Sequence, residues 1–101
     1  MPLSSQKEFR KLYNNSKKFH TQFFVLFYHD DNNRRFSVIA SKKIGNAVKR
    51  NFAKRRLRAL FIEVADKVQG SFVLVAKPDI VDVSFEKLRY LFKKSLKKVL
   101  S

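Results

Sequence analysis

The sequence predicts a single α+β domain, a two-layer α/β sandwich in which helices pack on one small mixed sheet. Three observations point there. Aromatic and β-branched residues gather in short runs of strand length, while two longer stretches carry apolar residues at helical spacing. Only two Gly and two Pro occur in 101 residues, which leaves no long linker, so residues 1–101 read as one domain with one modest core.

The elements follow in order. Ser5 and Glu8 fit a capping box, and Phe9, Leu12 and Tyr13 follow at i, i+3 and i+4, giving a short helix over about 5–13. Phe19 to His29 reads as one long strand, with Phe19, Phe23, Val25 and Phe27 on one side and Phe24, Leu26 and Tyr28 on the other. Asp30 to Asn33 is a turn by composition, and Arg35 to Ala40 is the returning strand. Gly45-Asn46 breaks that strand and caps a helix from Ala47 to about Lys67. Its buried stripe is Ala53, Leu57, Leu60, Phe61 and Val64, and Gly70 ends it. Ser71 to Lys77 is an apolar strand stopped by Pro78. Asp82 or Ser84 caps a last helix that buries Leu88, Leu91, Phe92, Leu96 and Val99. The predicted order is α-β-β-α-β-α.

Charge narrows the function. The formal net charge is +15, and Lys42 to Arg58 holds eight of the 23 Lys and Arg residues with no acid among them. Like charges packed so densely repel one another, so a polyanion is the expected neighbour. Nucleic acid leads; an anionic membrane comes second. At helical spacing Arg50, Lys54 and Arg58 form one ridge, with Asn51 and Arg55 beside it on the side away from the Leu57 stripe. Cations about 6 Å apart suit consecutive phosphates of a strand, and a guanidinium fork can bind phosphate or stack on a base. Lys42, Lys43 and Gly45 precede the helix, whose N-terminal N–H groups favour an anion. A solvated face is the bland alternative, but such faces interleave acids with bases and this one does not before Glu63.

The last helix is a second basic element, with Lys87, Arg89, Lys93, Lys94, Lys97 and Lys98 against Glu86. Lysines on the outer face of an amphipathic helix are ordinary, so an RNA role for Lys93 to Lys98 stays open. Aromatic rings not needed in the core could stack on bases.

Other chemistry is poorly supported. The absence of cysteine removes disulfides, thiolate metal sites and thiol catalysis. His20 and His29 are nine apart on the predicted strand, hence on opposite faces, and no phosphate loop of the GxxxxGK type occurs. Asp30-Asp31 and Asp79 with Asp82 read as turn and cap residues, and whether the chain binds metal stays open. No apolar run approaches a membrane span, so the expected location is the cytoplasm.

Ser41-Lys42-Lys43-Ile44-Gly45-Asn46-Ala47-Val48-Lys49-Arg50-Asn51, followed by Lys54-Arg55 and Arg58, closely resembles the signature of the bacterial ribonuclease P protein family. Phe9 and Tyr13 match that family's spaced aromatics, Phe24-Val25-Leu26-Phe27 matches its first strand, and the likeness spans nearly the whole chain. The resemblance implies a basic subunit that pairs with one ribonuclease P RNA in a heterodimeric ribonucleoprotein. The RNA removes the 5′ leader of precursor tRNA using Mg²⁺, and no catalytic residue lies in the protein. It further implies RNA contacts by Lys42, Lys43, Asn46, Lys49, Arg50, Asn51, Lys54, Arg55 and Arg58. A leader cleft of Phe9, Tyr13, Phe27, Arg50, Asn51, Lys54 and Arg58 is implied as well, with a left-handed crossover around the basic helix.

One departure stands out: Phe52 replaces the arginine usual in Arg-Asn-Arg. Phe52 either covers a seam with Val48 and Ala59 or is an exposed stacking ring, and Arg55 or Arg56 could supply the missing charge. The alternative function is a ribosomal protein-like domain or general RNA chaperone. A basic DNA-binding module is weaker, since no helix-turn-helix pattern supports it.

Overall fold

The structure, a computed structural model, describes residues 17–101. The helix predicted over 5–13, with Phe9 and Tyr13, lies outside the described residues. Strands β1 (Lys17–His20), β2 (Phe24–His29) and β3 (Arg34–Ile39) lead through a 3-10 turn at Lys42–Ile44 into helix α1 (Ala47–Ile62). A second 3-10 turn (Ala65–Lys67), strand β4 (Gly70–Ala76), a third turn (Pro78–Val81) and helix α2 (Phe85–Leu100) complete the chain. The sheet order is β1-β2-β4-β3. β2 runs antiparallel to both β1 and β4, and β3 lies parallel to β4 across the α1 crossover. The sheet is therefore mixed and the domain α+β, as predicted.

The long strand over 19–29 is instead a hairpin. Thr21 breaks it: its hydroxyl accepts from the N–H groups of Phe23 and Phe24 and donates to the carbonyl of Phe24. A threonine hydroxyl competing for backbone groups makes a tight turn, which propensity counted along a run of aromatics does not register. The turn changes every face assignment before it. Phe19 pairs with Leu26, so it faces the helices with Phe24 and Tyr28, and Phe23 also joins that core. His20 pairs with Val25, which puts it on the same face as His29 rather than the opposite one. Four residues of strand still part them, about 13 Å. That is too far for both to act on one phosphate.

One sheet face carries Phe24, Leu26, Tyr28, Phe72, Leu74 and Ala76 beneath both helices. Ala53, Leu57 and Leu60 of α1, and Leu88, Phe92, Leu96 and Val99 of α2, are buried there as the spacing predicted. Phe61 and Leu91 pack on it half-buried. The other face holds a smaller cluster of Val25, Phe27 and Val73, flanked by Ile39 and Val75.

α1 stops at Ile62 rather than near Lys67, and Gly70 opens β4 rather than ending the helix. At φ +118° its backbone suits glycine, and a Cβ there would fall 2.6 Å from the Tyr28 ring and 2.9 Å from the His29 carbonyl oxygen. Ser84 caps α2, its hydroxyl accepting from the Lys87 N–H at 3.2 Å.

Candidate nucleic-acid interface

The segment after β3 is built to throw cations outward. Ser41 Oγ accepts from the Lys43 N–H at 3.3 Å, and Ile44 is buried, so the turn is pinned from inside while Lys42 and Lys43 are exposed. Gly45 then adopts φ +137°, where a Cβ would come 2.8 Å from the Lys49 side chain. Asn46 Oδ1 accepts from the Lys49 N–H at 3.0 Å and caps α1. Asn46, a residue assigned to RNA contact, thus spends its carbonyl oxygen on the cap and leaves its amide N–H groups outward.

Along α1 the two flanks of the buried stripe differ. On one flank Phe61 stacks on Phe36 of β3, with centroids 4.0 Å apart and planes within 5°. Arg50, Lys54 and Arg58 lie on this flank, toward the β3 edge; Arg58 is exposed, and Arg50 and Lys54 are half-buried. Arg58 and Ile62 line a groove with Phe36, Ser37 and Val38 of β3. Lys49, Asn51 and Arg55 are exposed.

Phe27 is placed on the sheet face away from both helices and is 4% exposed. It is not remote from the ridge, however. The register sets Lys18, Phe27, Val73 and Ser37 in one row across that face, and Ser37 is a wall of the Arg58 groove. The row ends on Lys18 at one side and on Ser37, beside Arg58, at the other.

On the opposite flank Arg56 is committed to the fold. Its Nη1 donates to the carbonyl oxygen of Ile80 at 2.9 Å and to that of Val83, tying α1 to the turn before α2. The Phe52 ring sits 4.8 Å from that guanidinium and is 37% exposed, while Val48 is 76% exposed. Phe52 therefore makes no seam with Val48; it lies against Arg56, which is thereby unavailable to replace the missing arginine. Arg55 keeps its charge outward. The sequence offered Arg56 only as a substitute for the missing arginine; its anchoring role was not read there, because its partners are more than twenty residues away.

The acids serve turns. Asp31 accepts from the Ser71 hydroxyl at 2.7 Å and the Asn33 N–H at 2.9 Å. Burial pushes its carboxyl up, but these hydrogen bonds and nearby His29 outweigh burial and hold it below the usual carboxylate range. Asp79 accepts from Gln22 Nε2 at 3.1 Å, and Asp82 closes the Pro78–Val81 turn. Among the described residues, no three His, Cys, Asp or Glu side chains cluster as metal ligands, and no helix is long and apolar enough to cross a membrane.

Fold and surface together define a small, strongly basic α+β domain whose exposed cations line one helix and the neighbouring sheet edge. The family model for ribonuclease P matches residues 1–100. The chain is 41% identical over 98 residues to the ribonuclease P protein component of a Nitratiruptor species, covering 96% of this chain and 90% of that protein. To the ribonuclease P protein component of Bacillus pumilus it is 32% identical, covering 92% and 86%. Two solved structures share the fold: a Staphylococcus aureus RNase P protein mutant with defective mRNA degradation activity, and the RNase P protein from Thermotoga maritima. The first superposes with a TM-score of 0.84 at 22% identity, covering 96% of this chain and 86% of that one. The second gives 0.77 at 20% identity, covering 96% of both. The chain belongs to the ribonuclease P protein family.

Proposed function

We propose that this chain is the protein subunit of a cytoplasmic ribonuclease P, one protein paired with one catalytic RNA. It binds that RNA and the 5′ leader of precursor tRNA, and assists endonucleolytic removal of the leader. The observation that carries the reading is the division of α1 into a docked flank, fixed by Arg56, and a cationic flank of Arg50, Lys54 and Arg58. Lys42, Lys43, Asn46, Lys49, Asn51 and Arg55 extend the RNA-facing surface around it. The leader is proposed to follow this side of the sheet between Ser37 and Lys18, over Phe27 and Val73, which are themselves buried, with Phe9 and Tyr13 completing its path.

In this reading Mg²⁺ ions bound mainly by the RNA supply the hydrolytic chemistry. The protein supplies charge and position: cations between two RNAs replace counterions and reduce the Mg²⁺ needed to bring them together. The test is reconstitution with a bacterial ribonuclease P RNA. At low Mg²⁺ this protein should raise precursor tRNA cleavage well above RNA alone, and no stimulation would refute the proposal. Phe9→Ala or Tyr13→Ala, if folded, should weaken precursor binding and spare mature tRNA.

A further inference from the structure

We infer that the outward face of α2 is a second nucleic-acid contact, in which Tyr90 stacks on a base of an unpaired RNA segment and the surrounding lysines hold its phosphates. The inference rests on the RNA-binding reading above but uses none of its residues. Tyr90 is 65% exposed, among the most exposed large apolar side chains of the described residues. Lys93, Lys94 and Lys97 stand at i+3, i+4 and i+7 from it, all exposed, and none of them joins the single ion pair found among the described residues. Lys98 extends the patch, while Lys87, at i−3, lies over the Phe23 ring at 5.6 Å.

Ordinary helix design accounts for only part of this. Cations in the last turn complement the helix dipole, which suits Lys97 and Lys98. Glu86 in the first turn is the only acid on the helix and serves the same dipole. Neither effect explains an exposed phenol ring placed one turn before Lys93 and Lys94, two uncompensated ammonium groups in the middle of the helix. An aromatic platform framed by cations is the arrangement that binds single-stranded nucleic acid with little sequence preference. An apolar groove between Val64, Leu96 and Leu100 is lined by the same Lys93 and Lys97 further toward the end of the helix. A tyrosine stacks on a base at the loss of few side-chain rotamers, so its exposure in the free protein suits a preformed site.

The experiment compares an unstructured RNA oligonucleotide, an RNA duplex of equal length and anionic phospholipid vesicles. Tyr90→Ala should weaken oligonucleotide binding about five- to 150-fold, with little effect on the duplex. Tyr90→Trp should retain binding, and its emission should be quenched on adding the oligonucleotide; the chain has no other tryptophan. Replacing Lys93, Lys94 and Lys97 by Gln should reduce the salt slope by about 0.7 for each phosphate no longer neutralised. Unquenched emission from the Tyr90→Trp variant at saturating oligonucleotide, together with Tyr90→Ala binding within two-fold of the unaltered protein, would overturn the inference. Quenching by vesicles but not RNA would overturn it too. Loss of binding in Arg58→Ala with none in Tyr90→Ala would leave the proposed function standing without this site, whereas no RNA binding by the unaltered protein would remove both.

Discussion

Helices α1 and α2 are each sixteen residues long, and each carries six Lys or Arg. They use them differently. In α2 five of the six are lysines and the helix is sorted: Leu88, Phe92, Ser95, Leu96 and Val99 are buried, and Lys93, Lys94, Lys97 and Lys98 are exposed. In α1 four of the six are arginines, and only Ala53, Leu57 and Leu60 are fully buried. Cations occupy both flanks of that stripe, and Val48 and Ile62 are 76% and 73% exposed. A sequence written only for burial would sort as α2 does. The mixed wheel of α1 leaves that helix docked by a narrow stripe plus one guanidinium.

The largest expected effect breaks α2. Phe92 is 1% exposed and meets the edge of Phe24 with centroids 6.4 Å apart, so Phe92→Ala should destabilise the fold by about 3–5 kcal/mol in denaturant unfolding. A loss under about 1 kcal/mol would mean that α2 is not the stability-bearing helix. Arg56→Leu comes next, at about 1.5–3 kcal/mol. It removes a charged donor from the carbonyls of Ile80 and Val83 and leaves them half-buried without it. If Arg56 instead contacted RNA, stability would hold and the salt dependence of binding would flatten.

The converse change sharpens the contrast within α1. Arg58→Ala should alter stability by no more than about 0.5 kcal/mol, since the side chain is exposed. RNA affinity should fall, and the salt slope should drop by about 0.7–0.9 for the one phosphate no longer neutralised. Equal stability losses for Arg56 and Arg58 variants would erase the distinction between the two flanks.

Those two arginines also show where sequence reading succeeds. The ridge of Arg50, Lys54 and Arg58 and the stripe of Leu57 and Leu60 follow from helical period alone, and the Asn46 and Ser84 caps follow from residue type. Arg56 and Arg58 flank Leu57 at equal angles on opposite sides, and what sets Arg56 apart is the loop beside it, more than twenty residues away in the chain. Spacing cannot report a partner so distant. The Thr21 turn failed for a local reason, a single hydroxyl overriding a run of strand formers, and it carried the side assignments of Phe19 and His20 with it. Of the implied leader cleft, Phe27 proved to lie on the face away from α1, joined to Arg58 only through the row ending at Ser37. Strand alternation fixes that two residues share a face but not which face the helix crosses.

The smallest expected effect tests whether charge joins the two helices at all. Arg89 Nη2 donates to Glu63 Oε1 at 2.7 Å, linking α2 to the end of α1, with side chains 43% and 36% exposed. Water and salt screen such a pair, and holding two long side chains in place offsets its attraction, so Glu63→Gln should change stability by under about 1 kcal/mol. Arg89 Nε is buried with no hydrogen-bond partner, a desolvation penalty that the ion pair must first offset. Arg89→Leu removes that buried donor together with the charge, while its chain still covers Phe85, whose ring lies 5.2 Å from the guanidinium. A double-mutant cycle of Glu63→Gln and Arg89→Leu should therefore give a coupling energy below about 1 kcal/mol that shrinks further in high salt. A coupling well above that, insensitive to salt, would show that α1 is held at its far end by charge and that Arg56 is not its principal polar anchor.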